Sequence, residues 1–278
     1  MARGARTYLS PAALRGAAVE TAWTTAHLAL YPFGLAAEHA RERRAPRTLD
    51  ELSPVQRGLV MANAAGTPIV LVHGWVDNRS VFTLLSRALR RKGFGRVVTM
   101  NYSVLTHDVH RAAGRLASLV EDLCAETGHD EVHLVGHSMG GLVARYYVQC
   151  LGGDARVHTC VTLGAPHAGT HAARLFVGRA LSQLRPGSPL VRELAEPAPG
   201  CRTRFVAYWS DIDALVMPRE SARLDHPDLD VRRVLVHGVG HNSLPIDGRV
   251  VHEIATTFAK LENRGDEAPT IAAWTANA

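Results

Sequence analysis

Along this chain, short runs of consecutive apolar residues alternate with longer stretches in which apolar positions recur every three or four residues. The runs at Pro68–Val72, Arg96–Thr99, Glu131–Val135, Val157–Leu163, Arg204–Trp209 and Val231–Val236 read as strands. The intervening stretches read as helices. One of them, Arg79 to Lys92, follows Asp77 and Asn78, which can cap it, and ends on Arg90, Arg91 and Lys92 against the negative end of its dipole. Alternation of this length predicts an α/β protein: a mostly parallel sheet of about six strands, covered by helices on both faces. This domain is expected to fill residues 51–262, and no internal repeat is visible.

The pattern is lost at both ends. Residues 1–50 predict a helical extension and basic linker, and residues 263–278 have the little periodicity of a mobile tail. Between Thr21 and Ala37 there is no Asp, Glu, Lys or Arg, yet the run is short for a bilayer and broken by Pro32 and Gly34. As a signal peptide it is poor, with Glu20 intruding and no Ala-x-Ala site following. Arg41, Arg43, Arg44 and Arg47 come next, so two placements stay open: packing on the main domain, or peripheral membrane contact in an anionic interface. Cytoplasmic or peripherally membrane-associated placement is favoured, with secretion left open.

Composition narrows the classes further. With 278 residues and 46% hydrophobic content the chain can bury a large core. Its net charge of +5 is spread over short arginine clusters, a solvated basic face suited to anionic surfaces, and nucleic-acid motifs are absent, so no nucleic-acid partner is expected. The four cysteines form no CxxC pair, which argues against a zinc site or a dense disulfide framework. Cys160 and Cys201, in or beside strands, could bridge under oxidising conditions; four reduced thiols is the simpler reading.

Candidate chemistry centres on Val132-His133-Leu134-Val135-Gly136-His137-Ser138-Met139-Gly140-Gly141. An apolar run that breaks at a glycine-flanked serine and restarts as a helix has the form of a nucleophile elbow. Gly136 and Gly140 stand where side chains would collide as the helix packs back on the strand. Ser138 would be the nucleophile, and the Met139 amide at the helix N-terminus would face a developing oxyanion. Upstream, Val72-His73-Gly74-Trp75 ends a strand in a tight turn that would bring the Trp75 amide to the same place, with His73 a structural hydrogen-bonding residue. A serine hydroxyl needs a base and an acid to orient it. His241 lies in a glycine-freed loop after a late strand; His237, still within or ending that strand, reads as a buried or partly buried polar residue. The run Phe205–Asp213 reads as a strand ending in two aspartates, and Asp213, followed by apolar Ala214–Met217, is favoured over Asp211 as the acid.

These motifs, with Leu163-Gly164-Ala165-Pro166-His167-Ala168-Gly169-Thr170, resemble the α/β-hydrolase superfamily. Within it the chain is similar to the small bacterial true lipases and related actinobacterial lipases and esterases over about Thr67 to Leu261. The resemblance implies a minimal α/β-hydrolase fold, a triad acid at Asp213 and oxyanion amides at Trp75 and Met139. It implies a serine carboxylic-ester hydrolase acting on acyl esters, lipids favoured. The alternatives are an acyltransferase using the same triad and a non-catalytic interaction protein on the same scaffold. No cofactor is implied. No metal is expected either: the calcium ligands of larger bacterial lipases do not map here, and His167 and His171, though spaced like ligands, lack a carboxylate motif. The apolar stripe Ala173, Phe176, Val177, Ala180, Leu181 and Leu184 reads as helical, either a lid or acyl-pocket wall or ordinary core.

Overall fold

A computed structural model of the chain describes residues 66–75, 79–102, 108–175 and 179–262. The extension over 1–50, the tail over 263–278, the capping pair Asp77 and Asn78, and Phe176 and Val177 of the apolar stripe lie outside the described residues.

Among the described residues six strands form one parallel sheet: β1 (Ile69–Val72), β2 (Val97–Met100), β3 (Val132–His137), β4 (Val157–Leu163), β5 (Arg204–Ser210) and β6 (Asp230–Val236), in the spatial order β2-β1-β3-β4-β5-β6. The α/β reading with about six strands is therefore correct. Each apolar run serves both faces because successive side chains point opposite ways. In β1, Val70 and Val72 enter the core beneath α2 (Val109–Thr127) and α3 (Met139–Cys150). Ile69 and Leu71 enter the core beneath α1 (Thr83–Arg91) and α6 (Gly248–Glu262), the remaining short helices being α4 (Arg179–Ser182) and α5 (Pro189–Glu193).

Helix boundaries depart from the pattern in two places. The helix expected from Arg79 opens instead as a 3-10 turn over Arg79–Phe82, and α1 begins at Thr83 with no side-chain cap. Val81 and Phe82 are fully buried in that turn, so packing holds it against the sheet. The stripe expected from Ala173 to Leu184 is not one helix among the described residues: a 3-10 turn at His171–Arg174 and the single turn of α4 stand in its place. The backbone N–H of Thr170 donates to the Leu184 carbonyl at 2.7 Å, which closes this segment into a loop. All four cysteines are free thiols, and Cys201 Sγ lies 3.4 Å from Asp154 Oδ1.

The approach of α3 to the sheet depends on missing side chains. A Cβ on Gly140 would stand 2.2 Å from the Val72 carbonyl oxygen, and one on Gly136 would stand 2.5 Å from the Gly140 oxygen. Both obstacles are backbone and cannot swing aside. Gly140→Ala is expected to destabilise the fold by about 3 kcal/mol or more, because α3 must lift from β1. Urea denaturation measures this, and an unchanged midpoint would mean that α3 does not pack as described.

Candidate active site

Ser138 is the junction between β3 and α3, at φ 53 and ψ −124. Such a conformation costs a non-glycine residue about 1–3 kcal/mol and persists only where neighbours fix it. Here the Ser138 N–H donates to the Leu163 carbonyl at 2.8 Å, and Gly141 N–H donates to the Ser138 carbonyl at 3.0 Å. The elbow is thus anchored to the end of β4 on one side and to the first turn of α3 on the other. Met139 begins α3, in the turn whose amides have no intrahelical acceptor.

The loop after β6 brings His241 to the same end of the sheet. Its Nδ1 lies 2.7 Å from Asp213 Oδ2, and both side chains are almost completely buried. Asp213 Oδ1 accepts from the Leu215 and Val216 amides, each at 2.8 Å. A carboxylate accepts, so Nδ1 is the donor in this pair, and Nε2 is the ring nitrogen left for a second partner. Ser210 Oγ donates to the Val239 carbonyl, which ties the end of β5 to the loop that carries His241. His137 is buried beside His241, ring centroids 5.0 Å apart, and its Nε2 is 3.1 Å from the His241 carbonyl. A carbonyl only accepts, so His137 Nε2 is the donor.

Asp211 points elsewhere. Its Oδ2 pairs with His237 Nδ1 at 2.8 Å and its Oδ1 accepts from Gly238 N–H at 2.9 Å. His237 is not the buried residue expected: its side chain is 72% exposed, because β6 is an edge strand and its end opens to water. His73 is buried, stacked on Tyr102 with centroids 4.7 Å apart; its Nδ1 donates to the Gly74 carbonyl and its own carbonyl accepts from Tyr102 Oη at 2.7 Å.

Ser138, His241 and Trp75 open on one cavity, whose other walls include Pro166, Ala173, Leu181, Leu184, Leu215 and Val216. The empty space it encloses, counting the open mouth, is about 580 Å³. The apolar stripe after Gly169 therefore supplies a cavity wall through Ala173, Leu181 and Leu184. His167 is buried, its Nε2 3.0 Å from Thr162 Oγ1, and burial with the nearby Arg145 holds it well below the ordinary histidine range. Arg145 of α3 braces the same loop by donating to the His167 and Leu194 carbonyls, and burial lowers it to about 10. His171 is exposed on its 3-10 turn, so the pair spaced like metal ligands is split between core and solvent. Thr170 and His137 were not singled out by sequence pattern. Both act through hydrogen bonds to distant backbone, for which a chain carries no local signal.

A parallel sheet covered on both faces, with a strained serine turn between a central strand and its following helix, defines an α/β fold of the nucleophile-elbow class. The family described as alpha/beta hydrolase fold matches residues 67–204. The chain belongs to the α/β-hydrolase superfamily. A triacylglycerol lipase of Vibrio cholerae is 34% identical over 116 residues, covering 40% of this chain and 36% of that relative. The match thus spans about a third of the relative's length. Among solved structures, the mature form of a Bacillus licheniformis lipase superposes with a TM-score of 0.59 at 18% identity, covering 70% of this chain and 92% of that one. Lipase B of Aspergillus fumigatus gives a TM-score of 0.58 at 16% identity over 66% of this chain and 50% of that one. A monoacylglycerol lipase of Paleococcus ferrophilus gives 0.52 at 16% identity over 71% and 95%. At these identities the structural likeness is one of fold.

Proposed function

We propose that the protein is a serine carboxylic-ester hydrolase that cleaves acyl esters, lipid esters in particular, with Ser138 as nucleophile, His241 as base and Asp213 as the acid that orients it. The observation that carries this reading is the shared cavity: an elbow serine and the histidine of a buried histidine–carboxylate pair face one apolar space. Ser138 Oγ attacks the acyl carbonyl while His241 Nε2 takes its proton. The oxyanion is met by the Met139 and Trp75 amides, and His241 then returns the proton to the leaving alcohol. Water repeats the sequence on the acyl-enzyme. Asp213 stabilises the imidazolium formed in both steps.

Lipid substrates are favoured by the apolar lining and by likeness to a triacylglycerol lipase. A series of p-nitrophenyl esters of increasing acyl length, with emulsified triglyceride beside it, tests the reading. kcat/KM is expected to rise from acetate to medium chains as apolar acyl surface is buried, at about 0.8 kcal/mol per methylene. A rate that falls with every added methylene would remove the lipid assignment and leave a short-chain esterase. Product analysis with an added alcohol separates hydrolysis from acyl transfer: free acid should dominate, and ester product in excess would favour the transferase.

A further inference from the structure

We propose that Thr170 is a positioning residue for the His241–Asp213 pair, its hydroxyl setting the plane of the Leu215–Val216 peptide so that the Val216 N–H points at Asp213. The inference rests on the proposed roles of Ser138, His241 and Asp213. Thr170 follows the Gly-Ala-Pro-His loop after β4 and is buried at the cavity wall. Its hydroxyl is saturated. The proton goes to the Leu215 carbonyl at 2.7 Å, and the oxygen accepts from Met217 N–H at 2.9 Å and Ala172 N–H at 3.2 Å.

The Leu215 carbonyl and the Val216 N–H are two ends of one planar trans peptide, so they point in opposite directions and turn together. Thr170 holds the oxygen end, and Asp213 Oδ1 receives the N–H end at 2.8 Å. Rotation that released the carbonyl from Thr170 would swing the N–H away from the carboxylate. The Met217 bond fixes the next peptide, so the turn is held on both sides of Val216. The Leu215 N–H, also on Asp213 Oδ1 at 2.8 Å, enters the same turn one residue earlier. With Oδ1 held by two amides, Oδ2 is left aimed at His241 Nδ1 at 2.7 Å. The threonine therefore reaches the base through a peptide and a carboxylate, without touching either reacting atom.

Thr170→Val keeps the shape and removes the hydroxyl. It is expected to lower kcat on p-nitrophenyl butyrate about tenfold or more with KM within about twofold, whereas Thr170→Ser, which restores the hydroxyl, recovers most of the rate. Added to Asp213→Asn, Thr170→Val should cost little further, since both changes act through one carboxylate. A second readout needs no turnover: the far-downfield proton resonance of the His241–Asp213 hydrogen bond should shift or vanish in Thr170→Val and persist in Thr170→Ser. Should the valine variant fail to fold, Thr170→Ala carries the same comparisons. Wild-type kcat in the hydroxyl-free variant, an equal loss in the Asp213→Asn background, or an unchanged resonance would each overturn the proposal. A wild-type protein inactive on every ester would instead refute the triad reading, and the resonance would still decide whether Thr170 orients the pair.

Discussion

Replacing Ser138 with alanine is expected to lower kcat on p-nitrophenyl butyrate by at least about a thousandfold while leaving cooperative unfolding intact. The hydroxyl faces the cavity and carries no hydrogen bond that caps α3, so its loss removes chemistry without removing packing. The β3–α3 turn keeps its backbone anchors to Leu163 and Gly141, which do not involve the side chain. Residual catalysis above background would come from the oxyanion amides and from substrate binding. Retention of more than about a thousandth of the wild-type kcat would mean that another group makes the attack.

The second large effect separates the two aspartates. Asp213→Asn should slow turnover by about 10³ to 10⁴, because an amide cannot both accept from His241 Nδ1 and stabilise the imidazolium. Asp211→Asn should do far less. Asp211 holds His237 and Gly238 at the open end of β6, and its partner histidine is in solvent, where an ion pair contributes about 1 kcal/mol at most. The two variants are compared by kcat/KM on one soluble ester. Equal losses, or a larger loss at Asp211, would move the acid to the earlier residue.

The sheet was legible because a parallel strand covered on both faces is a nearly continuous apolar run, as Ile69–Val72 is in β1. The strand Asp230–Val236 lies at an edge and is half exposed, so the burial its apolar positions predict does not extend to His237 at its end. The elbow was legible for a different reason. Backbone contacts of 2.2 and 2.5 Å exclude every side chain at Gly140 and Gly136, so steric need is written directly as glycine. Sequence favours Asp213 over Asp211 only by its apolar neighbours, because two residues of loop can turn either carboxylate inward. In the structure the Leu215 and Val216 amides hold the Asp213 carboxylate, and the Leu215 carbonyl accepts from Thr170, 45 residues earlier in the chain. No periodicity records such a contact. The stripe after Gly169 is a similar case: the bond from Thr170 N–H to the Leu184 carbonyl brings the ends of the segment together, which a single helix from Ala173 to Leu184, about 16 Å long, would not allow.

The measurement that bears most directly on the proposed activity is covalent labelling of the full chain by a fluorophosphonate, followed by peptide mapping. An activated serine attacks phosphorus and displaces fluoride, so one adduct should form on the peptide containing Ser138, with ester hydrolysis lost in proportion. Failure of Ser138 to label, or labelling at another serine with ester hydrolysis undiminished, would show that the elbow is structural and not a catalytic nucleophile.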